Sequence, residues 1–299
     1  MTPTATNLLL APASWLLTAI SRLPLQMLYP LATILAWLAR CVVRYRLDIV
    51  RSNLEACFPQ LSSCQRREIE RRFYRNFADY IVETLRMLTM SPKEMKRRIE
   101  FTGLEHISQY VAEGKSVAAY FSHTFNWEWV TAMPLAAPSL AATVQFGQVY
   151  RPLRNRWFDT LMLRLRSRFG AVCIPKATVL RTLLRARAGG LITITGFMSD
   201  QKPSHGDPTC HLLFLNRPTA MITGTETLID KLGLTAVYFD LQRTSRDHYR
   251  ISILPMNPPH DSAPWPLTRL YASMLENSIR RDPAEWLWTH NRWKHPVTL

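Results

Sequence analysis

The chain has 299 residues, 47% of them apolar, with 10 glycines and a net charge of +15. That length fills one large domain or two small ones, and the composition excludes a disordered or fibrous protein. The charge asks for an anionic partner, whether nucleic acid, anionic lipid or an acidic protein. Five cysteines, Cys41, Cys57, Cys64, Cys173 and Cys210, form no C-x-x-C pair. Reduced thiols are the expectation, with no zinc or other metal site.

Residues 1–21 carry no charged side chain, Arg22 interrupts, and 23–39 is uncharged again. The basic start of a signal peptide is missing. As a helix, 23–39 covers about 26 Å, slightly less than a bilayer core. Pro24 and Pro30 would bend or delay it. A tilted span, a helix lying in the membrane interface and a buried globular helix all fit this stretch. Arg40, Arg44, Arg46 and Arg51 follow. Such residues stay on the cytoplasmic side, so the bulk of the protein is expected there too. The chain is therefore divided into a membrane anchor or interfacial segment (1–40), a helical region (41–99) and a main domain (100–299).

Ile69, Phe73, Phe77, Tyr80, Ile81 and Leu85 recur at helical spacing and predict a long helix over 62–88. Ser91-Pro92 ends it. Beyond residue 100, short apolar runs alternate with helical patterns. The runs are 116–121, 142–150, 171–174, 191–197, 211–215, 234–239 and 249–254. Trp157, Leu161, Leu165 and Phe169 mark one of the helices between them. This alternation predicts an α/β domain with a mainly parallel central sheet flanked by helices. The proline-rich stretch 256–266 is expected to be an extended connection. Between Gly147 and Gly190, ten basic side chains face one acid, Asp159. A run so one-sided is expected to meet something negative, although a solvated helix face also fits.

The stretch "AAYFSHTFNWEWV" carries the chemistry. An apolar run ends at Ser122, and His123 precedes Glu128 by five positions. On one continuous helix these two would point about 140° apart. If the strand ends at Ser122 and a helix starts near Asn126, Glu128 can instead reach back to the imidazole. A carboxylate on one ring nitrogen fixes the tautomer, and the other nitrogen can then take a proton from a hydroxyl. Carboxyl ends of parallel strands are also where α/β sheets bind ligands. The same residues equally fit a histidine bonded to a backbone carbonyl and a glutamate favoured by a helix N-terminus.

This stretch resembles the H-x4-[DE] motif of the glycerolipid and lysophospholipid acyltransferase superfamily. More narrowly, "HTFNWEW" is similar to the H-x-G-N-W-E of the late lipid A acyltransferases. "VVRYRLDIVRSNLEACFP", "RRFYRNFADYIVETL", "GQVYRPLRNRWFDTLMLRLRSRFG" with "IPK", "SDQKP" and "WLWTHNRWK" follow the family's remaining blocks in order. The resemblance implies a glycerolipid acyltransferase-like fold with a membrane-associated N-terminal region. It implies acyl transfer from a thioester, usually on acyl carrier protein, to a hydroxyl of a lipid A precursor at the bacterial inner membrane. By motif position His123 is the general base and Glu128 its partner. Arg151 would hold an acceptor phosphate bidentately. Arg154 and Lys176 carry over as substrate-binding residues, and Asp200 as one that can organise the site. No cofactor is implied. Phe125 stands in place of the motif's glycine, where a bulky side chain could narrow the groove. Asn291 replaces the first of two tail arginines. Trp286, Trp288 and Trp293 with Lys294 suit a membrane interface, though core packing suits the tryptophans too. Another phospholipid or glycolipid acceptor is the alternative within the enzyme class. A basic membrane-anchored binding protein is the alternative outside it, but no nucleic-acid-binding motif occurs.

Overall fold

A computed structural model describes residues 11–259 and 263–299. The first ten residues of the apolar N-terminal stretch and 260–262 of the proline-rich connection lie outside the described residues. In chain order the strands are β1 (Ile99–Thr102), β2 (Val117–Phe121), β3 (Gln145–Tyr150), β4 (Val172–Pro175), β5 (Thr193–Met198), β6 (Thr209–Phe214), β7 (Arg217–Ile222), β8 (Thr235–Ser245) and β9 (His248–Pro255). Seven of them form one sheet in the order β1-β9-β8-β2-β5-β3-β4, while β6 and β7 pair as a separate hairpin. Within the large sheet every neighbouring pair is parallel except β8 and β9, which form an antiparallel hairpin. The α/β architecture read from the alternation of runs is the one observed. β1 and β7 had not been expected; β1 is only four residues long and β7 begins with Arg-Pro, a weak strand signal.

β2 is central and every one of its residues is buried. Parallel strands covered on both faces read as continuous apolar runs, which explains "VAAYF". Gly196 on β5 lies beneath the last residue of β2. A Cβ there would sit 2.7 Å from Cε1 of Phe121, so only glycine leaves room for that ring. The end of β2 is pinned from the other side by Tyr271, whose hydroxyl donates to the Phe121 carbonyl at 3.0 Å.

Tyr271 belongs to a helix over Pro266–Arg281, which had not been expected and whose first residue is the last of the stretch read as an extended connection. Proline is compatible with the first helical position because its missing N–H has no partner there anyway. The buried Glu226 caps this helix from a distance, accepting from the N–H groups of Leu267 and Thr268 at 3.0 and 2.8 Å. A carboxylate at a helix N-terminus is favoured by the exposed amide dipoles.

The long helix runs from Ser63 to Arg86 and opens with a capping box between Ser62 and Gln65. Its inner face is partly polar: Asn76, Asp79 and Glu83 are all buried. Arg243 from β8 donates to Asn76 at 2.8 Å and to Asp79 at 2.7 Å. Tyr249 donates to Glu83 at 2.7 Å. These bonds offset the cost of burying the charges and tie the helix to the sheet.

A further helix, Leu25–Trp37, begins directly after Pro24 and lies against this one. Leu25, Leu28, Tyr29, Ala32 and Ala36 are buried, whereas Met27, Leu31, Ile34 and Trp37 are exposed. Tyr29 donates to Glu83 at 3.1 Å, and the Arg246 guanidinium lies 3.9 Å over the Tyr29 ring. Leu25–Val42 is long and apolar enough to cross a membrane by length and composition. The five cysteines are free.

Candidate active site

The catalytic candidates gather at the carboxyl ends of β2 and β5. These strands are parallel neighbours, with Phe121 opposite Met198 in the register. Two residues further along each chain stand His123 and Asp200. The ring Nδ1 of His123 lies 2.7 Å from Oδ1 of Asp200, and the His123 backbone N–H donates to Oδ2 at 3.0 Å. Trp286 donates its indole N–H to the same Oδ2 at 2.9 Å. Burial by itself would raise the Asp200 carboxyl, but the His123 charge and these hydrogen bonds outweigh it and hold the group at about 2. Asp200 is therefore an acceptor only. In the neutral imidazole Nδ1 then carries the proton towards this acceptor and Nε2 is the lone-pair site.

The expected partner, Glu128, is engaged elsewhere. Its carboxylate receives two hydrogen bonds from Arg166, at 2.8 and 2.7 Å, and a third from the Trp127 indole at 3.0 Å. The local reading was right about the backbone: β2 ends at Phe121, and a 3-10 helix starts at Trp127 with Asn126 as its cap. That helix carries Glu128 away from the imidazole, and Asp200 occupies the orienting position instead. Trp127 links the two: it donates to Glu128, and its ring stands edge-on to the imidazole with centroids 5.0 Å apart. Tyr80 stacks on the Trp127 ring at 4.2 Å. Arg166 would be lowered by its burial, yet the Glu128 carboxylate reverses this and raises it.

Phe125 does not project into an open groove. It is fully buried against Phe73, Phe77, Tyr80 and Trp127. The aromatic side chain joins the turn after β2 to the long helix.

Gln201 follows Asp200 directly, and its side-chain nitrogen lies 3.1 Å from Nε2 of His123. The "SDQKP" motif contained it, but only Asp200 had been singled out there. Beyond Gln201 the loop turns back on itself. Asp207 accepts from Ser204 N–H at 2.8 Å and from Lys176 at 2.7 and 2.8 Å. Arg151 donates to the Ser204 hydroxyl at 3.2 Å. Arg151 and Lys176 thus converge on the loop that follows Asp200 and Gln201, and Arg154 is exposed.

The tail reaches the site from below. Trp286, Trp288 and Trp293 are all buried, so they pack in the core and none faces outward. His290 accepts from the backbone N–H of Lys202 at 3.0 Å. Burial lowers His290 to about 4, which keeps it neutral for this contact. Arg292, the retained tail arginine, is buried and donates to the Ala220 carbonyl of β7.

A sequence model described as the bacterial lipid A biosynthesis acyltransferase family matches residues 6–295 of the chain. The chain belongs to that family. It is 26% identical over 302 residues to a lipid A biosynthesis lauroyltransferase of Escherichia coli, covering 98% of this chain and 95% of that protein. A lipid A biosynthesis palmitoleoyltransferase of the same organism is 25% identical over 277 residues, covering 91% and 87%. A lipid A biosynthesis acyltransferase of Haemophilus influenzae is 24% identical over 242 residues, covering 80% and 72%. This lipid A acyltransferase is accordingly an O-acyltransferase with an acyl donor and a lipid acceptor as substrates. The alternative of a basic binding protein is set aside.

Proposed function

We propose that the enzyme moves a fatty acyl chain from an acyl thioester, carried by acyl carrier protein, to a hydroxyl of a lipid A precursor. His123 is the general base and Asp200 orients it. The observation that carries this reading is the 2.7 Å contact between Nδ1 and a carboxylate that can only accept. It leaves Nε2, which faces the Gln201 side chain at 3.1 Å, as the nitrogen that can take a proton. The acceptor hydroxyl gives its proton to Nε2 as its oxygen bonds to the thioester carbon. The tetrahedral intermediate collapses, the carbon–sulfur bond breaks, and the imidazolium returns the proton to the leaving thiolate. Asp200 stabilises the imidazolium while it exists. Glu128 acts one step away: with Arg166 it fixes Trp127 against the imidazole.

Charge supports both substrate assignments. Arg151, Arg154, Arg156, Arg164, Arg181 and Arg185 are exposed, whereas Arg166 is committed to Glu128. An acidic carrier protein and a phosphorylated lipid are the two partners such a surface suits. Arg151 and Lys176 both reach the loop after Gln201, which suits an acceptor phosphate, and the exposed Arg154 follows Arg151 by three residues. The Leu25–Trp37 helix is bound along one face to the catalytic domain and offers Met27, Leu31, Ile34 and Trp37 on the other. This arrangement suits a helix lying in the interface better than a free span. The Arg40 to Arg51 collar favours the cytoplasmic leaflet of the inner membrane.

Mass spectrometry of lipid A from cells with and without the gene tests the reading. Loss of one acyl chain on deletion, restored by the wild-type gene but not by His123→Ala, is expected. Unchanged lipid A would contradict it.

A further inference from the structure

We propose that Gln201 is a catalytic residue whose side-chain amide covers the base in the resting enzyme and then stabilises the oxyanion formed during transfer. The identity of the contacting atom follows from the neighbouring pair. Nδ1 of His123 faces the Asp200 carboxylate, so Nε2 carries the lone pair. The Gln201 group 3.1 Å from Nε2 must therefore be the amide NH2, donating to it. While that bond persists, Nε2 cannot accept a proton from a hydroxyl. The acceptor must displace the amide before chemistry begins.

The displaced donor stays beside the reaction. Gln201 is half-buried in the loop after β5, and its flexible side chain needs only a small rotation to leave Nε2. In the tetrahedral intermediate the attacking oxygen and the former carbonyl oxygen share one carbon. A donor pushed off Nε2 by the first oxygen is within reach of the second. That oxygen gains negative charge when the hydroxyl proton passes to Nε2, and loses it when the carbon–sulfur bond breaks and the thiolate takes the proton.

Three backbone donors around the imidazole are already engaged. The N–H of His123 is bonded to Asp200, that of Phe125 to the Glu285 carbonyl at 3.0 Å, and that of Lys202 to His290 at 3.0 Å. These three donors face inward and fix the turn. The Gln201 amide is the donor beside Nε2 that substrate can set free. A donor aimed at developing charge in a dry site acts mainly on the transition state, so its loss should fall on kcat.

This inference rests on His123 being the base, so the test runs three variants together. Gln201→Ala removes the amide. Gln201→Met keeps the length of the side chain without a donor and carries the test if the alanine variant does not fold. His123→Ala reports on the base. Transfer from a labelled acyl carrier protein thioester to a lipid A precursor is measured, with kcat and both KM values, alongside thermal melting. Folded Gln201 variants should lose about 10²–10³-fold in kcat, with little change in either KM. A folded variant with near-normal or raised kcat would reduce Gln201 to a cover and overturn the proposal. A loss confined to KM would overturn it too. If His123→Ala keeps its turnover, the base itself is wrong; if it is inactive while the Gln201 variants work, only the oxyanion role fails.

Discussion

Asp200 holds His123 at two points, the ring Nδ1 at 2.7 Å and the backbone N–H at 3.0 Å. The two residues are far apart in the chain and meet because β2 and β5 run side by side in the same direction. Each lies two positions past a matched pair of strand ends, Phe121 and Met198. One carboxylate therefore fixes both the ring and the turn that carries it.

This double contact predicts an acid dependence of stability. The Asp200 carboxyl is depressed from its ordinary 3.8 to about 2. A depressed carboxyl stabilises the fold fully above its unfolded value and loses that contribution as pH falls through the folded one. Asp200→Asn should therefore melt lower than wild type above pH about 4, and the difference should shrink towards pH about 2. Thermal melts across that range check it; a difference that grows on acidification would contradict the sign.

Glu128→Gln separates a positioning role from a direct one. It leaves the buried Arg166 without its countercharge, which should cost about 3–5 kcal/mol of stability. Arg166→Met added to Glu128→Gln should recover part of the loss, because no charge is then left unpaired. Melting and turnover are measured on both. Full loss of transfer with unchanged melting would mean that Glu128 acts on the chemistry itself.

Much of this was legible in the sequence, and the omissions have physical reasons. The apolar runs gave the strands because a sheet covered on both faces needs them. The step from Ser122 to Asn126 was legible as a strand end followed by a helical cap. What a local reading could not supply was which strand lies beside β2, and so Asp200 was left as an organiser while Glu128 was expected at the imidazole. Asn76, Asp79 and Glu83 were missed as a buried polar stripe although their spacing is helical. Their partners, Arg243 and Tyr249, come from the β8–β9 hairpin, which the sequence reading did not foresee. The tail tryptophans fitted either an interfacial belt or core packing; Trp286 packs on Phe214 of β6, Trp293 donates to Thr219 of β7 and Trp288 packs on Phe58, and of the two hairpin strands only β6 had been expected.

Arg151→Lys should harm use of the acceptor more than use of the donor. Lysine keeps the charge but not the planar fork. Loss of one charge-assisted contact should cost about 1.5–3 kcal/mol, read as a rise in acceptor KM or a fall in kcat/KM. Unchanged kinetics toward a phosphorylated acceptor would remove Arg151 from the site.

The exposed face of the Leu25–Trp37 helix should govern membrane association. Leu31→Ser with Trp37→Ser should reduce flotation with vesicles containing anionic phospholipid while melting stays unchanged, since both side chains are exposed. A cysteine placed at Leu16 that is labelled from the periplasmic side would instead mean that the segment spans the membrane.

The most direct measurement is a double-mutant cycle on His123 and Asp200, read as acyl transfer from a labelled thioester with folding checked by melting. Groups that act as one unit do not add their losses. His123→Ala should nearly abolish transfer, Asp200→Asn should lower it by several orders of magnitude, and the double variant should be little worse than His123→Ala alone. A folded His123→Ala enzyme with near-normal turnover would contradict the account.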